Sequence, residues 1–280
     1  MKKKGFGSDY AEKAHLQKSF NSKIILELVE SISAWYPNTR DNPLKILDLC
    51  CGDGGSTYEF LQKLDERNIC VNELLGYDIS QEQINRTDEY SCKDPRLKFK
   101  KQDVEIMNDI EKYDVIISLF GLHWMEDIKN VSKKIHNALK PNGKLMFFVP
   151  LEKPDLFQIR KDFMSLPQWK PYFKDLKLYP FIENENEYIQ AFEQYFIHCT
   201  YKRGEEDKIF SEEDFMTFLS SWMQELRYIS KDARLKYLKE LVESIPHEVY
   251  PNVSRFWSSE DSAYKIRFKE HFFKGLGVKS

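Results

Sequence analysis

Lys45-Ile46-Leu47-Asp48-Leu49-Cys50-Cys51-Gly52-Asp53-Gly54-Gly55-Ser56-Thr57 is an apolar run that ends in a glycine turn and passes into a helical pattern. Such a turn brings backbone N–H groups close to a ligand. Gly52, Gly54 and Gly55 have no side chain to block the approach and can take a positive φ, and Ser56 or Thr57 is placed to begin the helix. The same turn suits nicotinamide-dinucleotide enzymes, whose fingerprint is G-x-G-x-x-G. Counted from Gly52, however, the sixth position is Thr57 where that fingerprint has glycine or alanine.

Two further strand ends extend the reading. Leu75-Gly76-Tyr77-Asp78-Ile79-Ser80 places Asp78 where a carboxylate can accept both hydroxyls of a ribose. Phe99-Lys-Lys-Gln-Asp103-Val104 places an acid that can take an adenine amino proton, next to a backbone N–H that can meet a ring nitrogen. Three strand ends thus converge on one nucleoside. β-rich runs at 45–49, 74–77, 98–101, 115–119 and 144–149 alternate with helical spacing at 58–67, 81–90 and 128–139. That alternation predicts a doubly wound, mostly parallel α/β sheet.

Upstream, Leu16, Phe20, Ile24, Ile25, Leu28 and Ile32 predict an amphipathic N-terminal helix over 11–33 that covers the sheet. After Pro150 the spacing predicts helices at 155–165, 185–192, 211–228 and 231–244. Ser211-Glu-Glu-Asp214 forms a capping box and Ser230 offers another start. The expected organisation is a ligand-binding domain over residues 1–150 and a mainly helical, aromatic-rich cap over 151–280. The acidic clusters at 183–187 and 205–207 read as solvated loops or helix ends.

The chain has 280 residues, 41% of them hydrophobic and 31% charged, with a formal net charge of -3. These values describe an ordinary globular core and supply no basic stripe for phosphate, so no nucleic-acid partner is expected. No apolar run approaches the roughly 20 residues of a membrane span, and none follows the basic Met1 to Lys4 as a signal peptide requires, so a cytoplasmic protein with no membrane partner is expected. The five cysteines include no C-x-x-C pair, and the histidines have no partner at metal-ligand spacing, so neither a disulfide framework nor a metal site is expected. Cys50 and Cys51 read as small packing residues or as a reactive thiol pair.

Taken together, Asp48, Gly52 and Gly54, Asp78, Asp103 and the Lys140-Pro141-Asn142-Gly143 turn resemble the class I S-adenosylmethionine-dependent methyltransferases, a Rossmann-like family, over roughly residues 10–150. The resemblance implies S-adenosyl-L-methionine as cofactor and S-adenosyl-L-homocysteine as product. It places the methionine part against Leu49 to Gly55, the ribose at Asp78 with Ile79 beside it, the adenine at Asp103 and Val104, and Ser118 and Leu119 beside the sulfonium. Cys50 departs from the family, which often has glycine there.

Within that family, Leu122-His123-Trp124 resembles the juvenile hormone acid methyltransferases, and the related trans-aconitate and malonyl-acyl carrier protein enzymes have a similar loop. Tyr10 to Gln17 resembles the family's first helix, with Tyr10 and Gln17 reaching cofactor or substrate carboxyl. The resemblance implies a small-molecule acceptor, a carboxylic acid methylated on oxygen, and a monomer or homodimer. His123 and Gln17 are candidate hydrogen-bond donors to the acceptor, and Trp124 a candidate wall. Arg160, Arg203, Arg227 and Arg255 are candidate partners for an acidic group under the cap. Methylation of an amine, a protein or tRNA, and a non-catalytic cofactor-binding protein, remain alternatives at this stage.

Overall fold

The computed structural model describes residues 15–151, 154–174, 176, 185–247 and 252–279; the side chains of residues 15–20, 154 and 221 lie outside that description. In chain order the principal elements are α1 (His15–Trp35), β1 (Leu44–Leu49), α2 (Gly55–Glu66), β2 (Val71–Asp78), α3 (Gln81–Ile84), α4 (Asp88–Ser91), β3 (Leu97–Lys101), β4 (Tyr113–Leu119), α5 (Ile128–Ala138) and β5 (Leu139–Pro150). They are followed by α6 (Pro154–Met164), α7 (Asn186–Glu193), β6 (Phe196–Ser211), α8 (Glu212–Trp222), α9 (Lys231–Glu243), β7 (Val253–Ser258) and β8 (Ala263–Lys279).

Strands β1 to β5 are parallel, in the order β3-β2-β1-β4-β5, and the sheet continues through β8 and β6. β8 runs antiparallel to both β5 and β6. Alternation along the strands builds two apolar layers. Ile46, Val115, Ile117, Met146 and Phe148 face α1 and α2, where Ile25, Ile32, Phe60 and Leu64 are fully buried. Leu47, Leu49, Ile116, Leu145, Phe147 and Val149 face the opposite layer of α5 and α7. Successive strand residues point to opposite faces, so both faces of a covered parallel sheet must be apolar.

The order reverses between β1 and β4, which leaves a crevice at their carboxyl ends, the place where open α/β sheets bind ligands. Among the described residues, no helix is long and apolar enough to cross a membrane.

The doubly wound sheet and the N-terminal helix are as expected, but the segment after residue 150 is not mainly helical. Three strands lie in it, and all three belong to the same sheet, β8 and β6 continuing it beyond β5 and β7 pairing with β8. β8 pairs with β5 from Lys144 to Pro150, so residue 150 marks no boundary in the sheet. The helices of this segment form a core with β8, in which Phe163, Trp169, Phe215, Phe218, Tyr237 and Phe268 pack together, and this accounts for the excess of aromatics. The 205–207 acids are strand residues of β6 rather than loop, with Glu205 paired to Lys269 and Glu206 to Lys23.

Candidate active site

Three left-handed residues shape the loop after β1: Cys50 at φ 62, Gly52 at φ 57 and Gly54 at φ 84. The position where the family often carries glycine does require positive φ, and a cysteine holds it at a cost of about 1–2 kcal/mol. The loop is tied to the end of β2 by Cys51 N–H to the Tyr77 carbonyl (3.0 Å) and Gly52 N–H to Asp78 Oδ2 (3.0 Å). Gly76 on β2 and Gly121 in the loop after β4 leave room for the two cysteine side chains. A Cβ on Gly76 would lie 2.8 Å from Cys51 Sγ, and one on Gly121 would lie 2.6 Å from Cys50 Cβ. Both cysteines are therefore packing residues, and burial pushes the Cys51 thiol up, away from thiolate chemistry. A Cβ on Gly52, by contrast, would meet nothing within 4 Å, so the loop is open there.

The helix begins one or two residues earlier than the sequence suggests. Gly54 is the N-cap of α2, and Thr57, fully buried in its first turn, donates its hydroxyl to Asp48 Oδ2 at 2.6 Å. Asp48 is 3% exposed and thus lies beneath the loop rather than on its surface. Burial pushes its carboxyl up to about 7; the Thr57 bond opposes the rise and the Asp78 charge adds to it. Ser118 is fully buried and donates to the Leu49 carbonyl at 3.0 Å, so its side chain braces β4 against β1. Leu119 and Ile79 are half-buried.

Asp78 accepts the backbone N–H of Gly52 on Oδ2 and that of Ser80 on Oδ1 (2.8 Å), with the Ile79 N–H as a third donor to the carboxylate, and two oxygens with about four acceptor sites keep capacity for a ribose hydroxyl. Burial still raises its pKa, against the lowering by these N–H groups. Asp103 caps a short 3₁₀ turn by accepting the Glu105 N–H on Oδ1 (2.9 Å), and Oδ2 has no protein partner among the described residues. Val104 heads that turn; its side chain is buried in the core, so only its backbone is available to a ligand. The residues from Asp48 to Thr57 include acids and no base. An open glycine face, free carboxylate acceptors and uncompensated negative charge suit a nucleoside that carries a sulfonium cation.

After β4, Phe120 is left-handed (φ 55), and a 3₁₀ turn, Leu122–Trp124, follows. Gly121, in contact with Cys50, sets this turn directly against the glycine loop. The His123 and Trp124 rings lie 4.7 Å apart, and both residues are half-buried. His123 Nδ1 is hidden from solvent, and burial pushes its pKa down to about 3, so the imidazole is neutral.

Three of the four candidate arginines are held by acids of the protein itself. Arg160 pairs through two nitrogens with Glu225 (2.8 and 2.7 Å), buried in the cap core, Arg203 pairs with Glu185, and Arg255 with Glu212. Arg227 is exposed. Tyr10 lies outside the described residues, as does the Gln17 side chain. Sequence reasoning missed Gly76, Thr57 as a partner of Asp48, and Tyr188, which reaches the Leu122 carbonyl from α7. No local pattern marks Tyr188, because its partner lies 66 residues away.

Comparison with known proteins agrees with this geometry. The family described as a methyltransferase domain matches residues 47–145. The juvenile hormone acid O-methyltransferase of Drosophila melanogaster is 22% identical over 161 residues, 56% of this chain and 52% of that protein, so the chain spans about half that relative's length. The malonyl-[acyl-carrier protein] O-methyltransferase of Halalkalibacterium halodurans is 26% identical over 223 residues, 70% of this chain and 79% of the relative. Among solved structures, a protein of Bacillus halodurans superposes with a TM-score of 0.58 at 14% identity, covering 90% of this chain and 97% of the other. The YcgJ protein of Bacillus subtilis does so at 0.56 and 13%, covering 85% and 93%. Residues 47–145 thus match a methyltransferase domain, and the reversed sheet order, left-handed loop and strand-end acids around them are similar to those of class I S-adenosylmethionine-dependent methyltransferases.

Proposed function

We propose that the protein methylates a small carboxylic acid on oxygen, with S-adenosylmethionine as donor. The observation that carries this reading is His123, set against the glycine loop through Gly121 with its Nδ1 hidden from solvent. It is the one titratable side chain of residues 118–124, and burial holds its pKa at about 3. A base this weak takes no proton from an ammonium acceptor near pH 7, where efficient general bases have pKa values close to the working pH. A carboxylate is already a nucleophile there and needs no base.

Bound in the cleft, the cofactor supplies a methyl group already activated on a positive sulfur. The chain's part is to hold and orient. The Gly52 face and Asp78 receive the cofactor, with Asp103 and the Val104 N–H at its base. The imidazole of His123, as a neutral donor, holds the acceptor oxygen that does not attack, and Trp124 supplies an apolar wall that excludes water. A carboxylate oxygen becomes an ester oxygen, S-adenosylhomocysteine is left, and no proton changes hands. The names of the O-methyltransferase relatives support the oxygen acceptor.

The test uses methyl-labelled cofactor with a panel of carboxylic acids and amines. Label that mild alkali releases as methanol is the expected result, because esters hydrolyse under these conditions. Label that survives alkali and appears only with amines would overturn the carboxylate reading.

A further inference from the structure

The turn that carries His123 and Trp124 is short, and its backbone is held from outside the segment that matches the methyltransferase family. Inside the turn, Trp124 N–H bonds the Gly121 carbonyl at 3.1 Å and Met125 N–H bonds the Leu122 carbonyl at 3.2 Å. The Leu122 carbonyl accepts a second bond, from the Tyr188 hydroxyl at 2.9 Å. A carbonyl oxygen has two lone pairs, so both are engaged. Leu122 is fully buried and Tyr188 is 5% exposed, so water has little access to replace the hydroxyl. Burial raises the Tyr188 pKa further above its ordinary value, which keeps the hydroxyl a donor.

Tyr188 in turn sits on a firm platform. Helix α7 is fixed to α5 by Ser132 Oγ, which donates to the Ala191 carbonyl at 2.7 Å. It is fixed to the sheet by Phe192, whose ring stacks on Phe147 with centroids 4.8 Å apart. The first peptide of the acceptor turn is thereby tied to β5 and α5 through one phenol.

We propose that Tyr188 is a positioning residue for the methyl acceptor, acting through the Leu122 carbonyl on the placement of His123 and Trp124. The proposal rests on the reading above that this turn faces the acceptor. The cofactor is held elsewhere, by the Gly52 loop, Asp78 and Asp103. Loss of the phenol oxygen therefore affects the acceptor and spares the cofactor.

Tyr188→Phe removes that oxygen and keeps the ring among Phe147 and Phe192, so the variant retains its packing. The expected result is an acceptor KM raised about tenfold, within the range that small misplacement of reacting groups produces. Affinity for S-adenosylhomocysteine should stay within about twofold. In spectra of protein with 15N-labelled histidine, the His123 signals should move while those of the distant histidines stay. An unchanged KM would overturn the proposal, and so would a fall in cofactor affinity as large as that in acceptor affinity, which marks a general structural role. If no acid in the panel is methylated, the carboxylate reading fails, and the spectra then decide the matter: a His123 shift at intact cofactor affinity sustains the positioning role, and unchanged spectra refute it.

Discussion

Cys50 holds a backbone that glycine holds without strain, and it does so because Gly121 leaves room for its side chain. The pair is therefore coupled. Gly121→Ala brings a Cβ to 2.6 Å from both Cys50 Cβ and Ser118 Oγ, and should destabilise the protein by about 1–3 kcal/mol and weaken cofactor binding. Adding Cys50→Gly to that variant should restore part of both losses; strictly additive effects in a double-mutant cycle would show that the contact is not what matters.

Asp48 and His123 carry opposite pH signatures. The Asp48 carboxyl is raised from 3.8 to about 7, so its contribution to stability is fully present below pH 3.8 and lost as pH rises through 7. Urea unfolding of the cofactor-free protein should show the wild type losing stability between pH 4 and 8 relative to Asp48→Asn, and parallel profiles would refute the assignment. His123 is lowered from 6.5 to about 3, so its contribution is present above 6.5 and lost as pH falls toward 3. With saturating cofactor, kcat for a carboxylic acid should show no limb near pH 6.5, whereas a solvated histidine in the same role would produce one.

The cap helices show which local signals survive folding. Ser211 caps α8 as its sequence suggests, accepting the Asp214 N–H at 3.0 Å. Ser211→Ala should cost about 1 kcal/mol in thermal or urea unfolding. Ser230 makes no side-chain cap bond although α9 begins beside it, since residue type at an N-cap permits the bond without supplying its geometry. Arg160 and Glu225 are a buried pair with Trp222 over the guanidinium at 4.9 Å. Arg160→Ala leaves an uncompensated buried carboxylate and should cost about 3–5 kcal/mol, whereas a joint apolar replacement of both residues should recover most of that. Strands β6 and β8 escaped the sequence reading, although Ile266 and Phe268 alternate with charged residues as in a strand with one buried face.

At the level of the whole chain, the cofactor cleft depends on strands that enter the sheet last. β8 covers β5 along Lys144 to Pro150, and Phe147 packs against Phe192 and Phe273. A fragment of residues 1–150 would expose that edge and that ring. It should fail to give a cooperative unfolding transition or dispersed amide signals, and a stably folded fragment would instead support a boundary at residue 150.

The glycine loop and the strand-end acids were legible in the chain because their pattern is local. Each of Gly52, Gly54, Asp78 and Asp103 stands within a few residues of a strand end, and strand periodicity alone carries those ends to one edge of the sheet. That Cys50 adopts positive φ, that Asp48 and Ser118 brace the loop from below, and that His123 is neutral were decided only by tertiary packing, because burial and contact depend on neighbours remote in sequence. The 122–124 turn shows this most plainly: its composition is readable in the sequence, and its Leu122 carbonyl is held by Tyr188, which only the folded sheet brings within 2.9 Å.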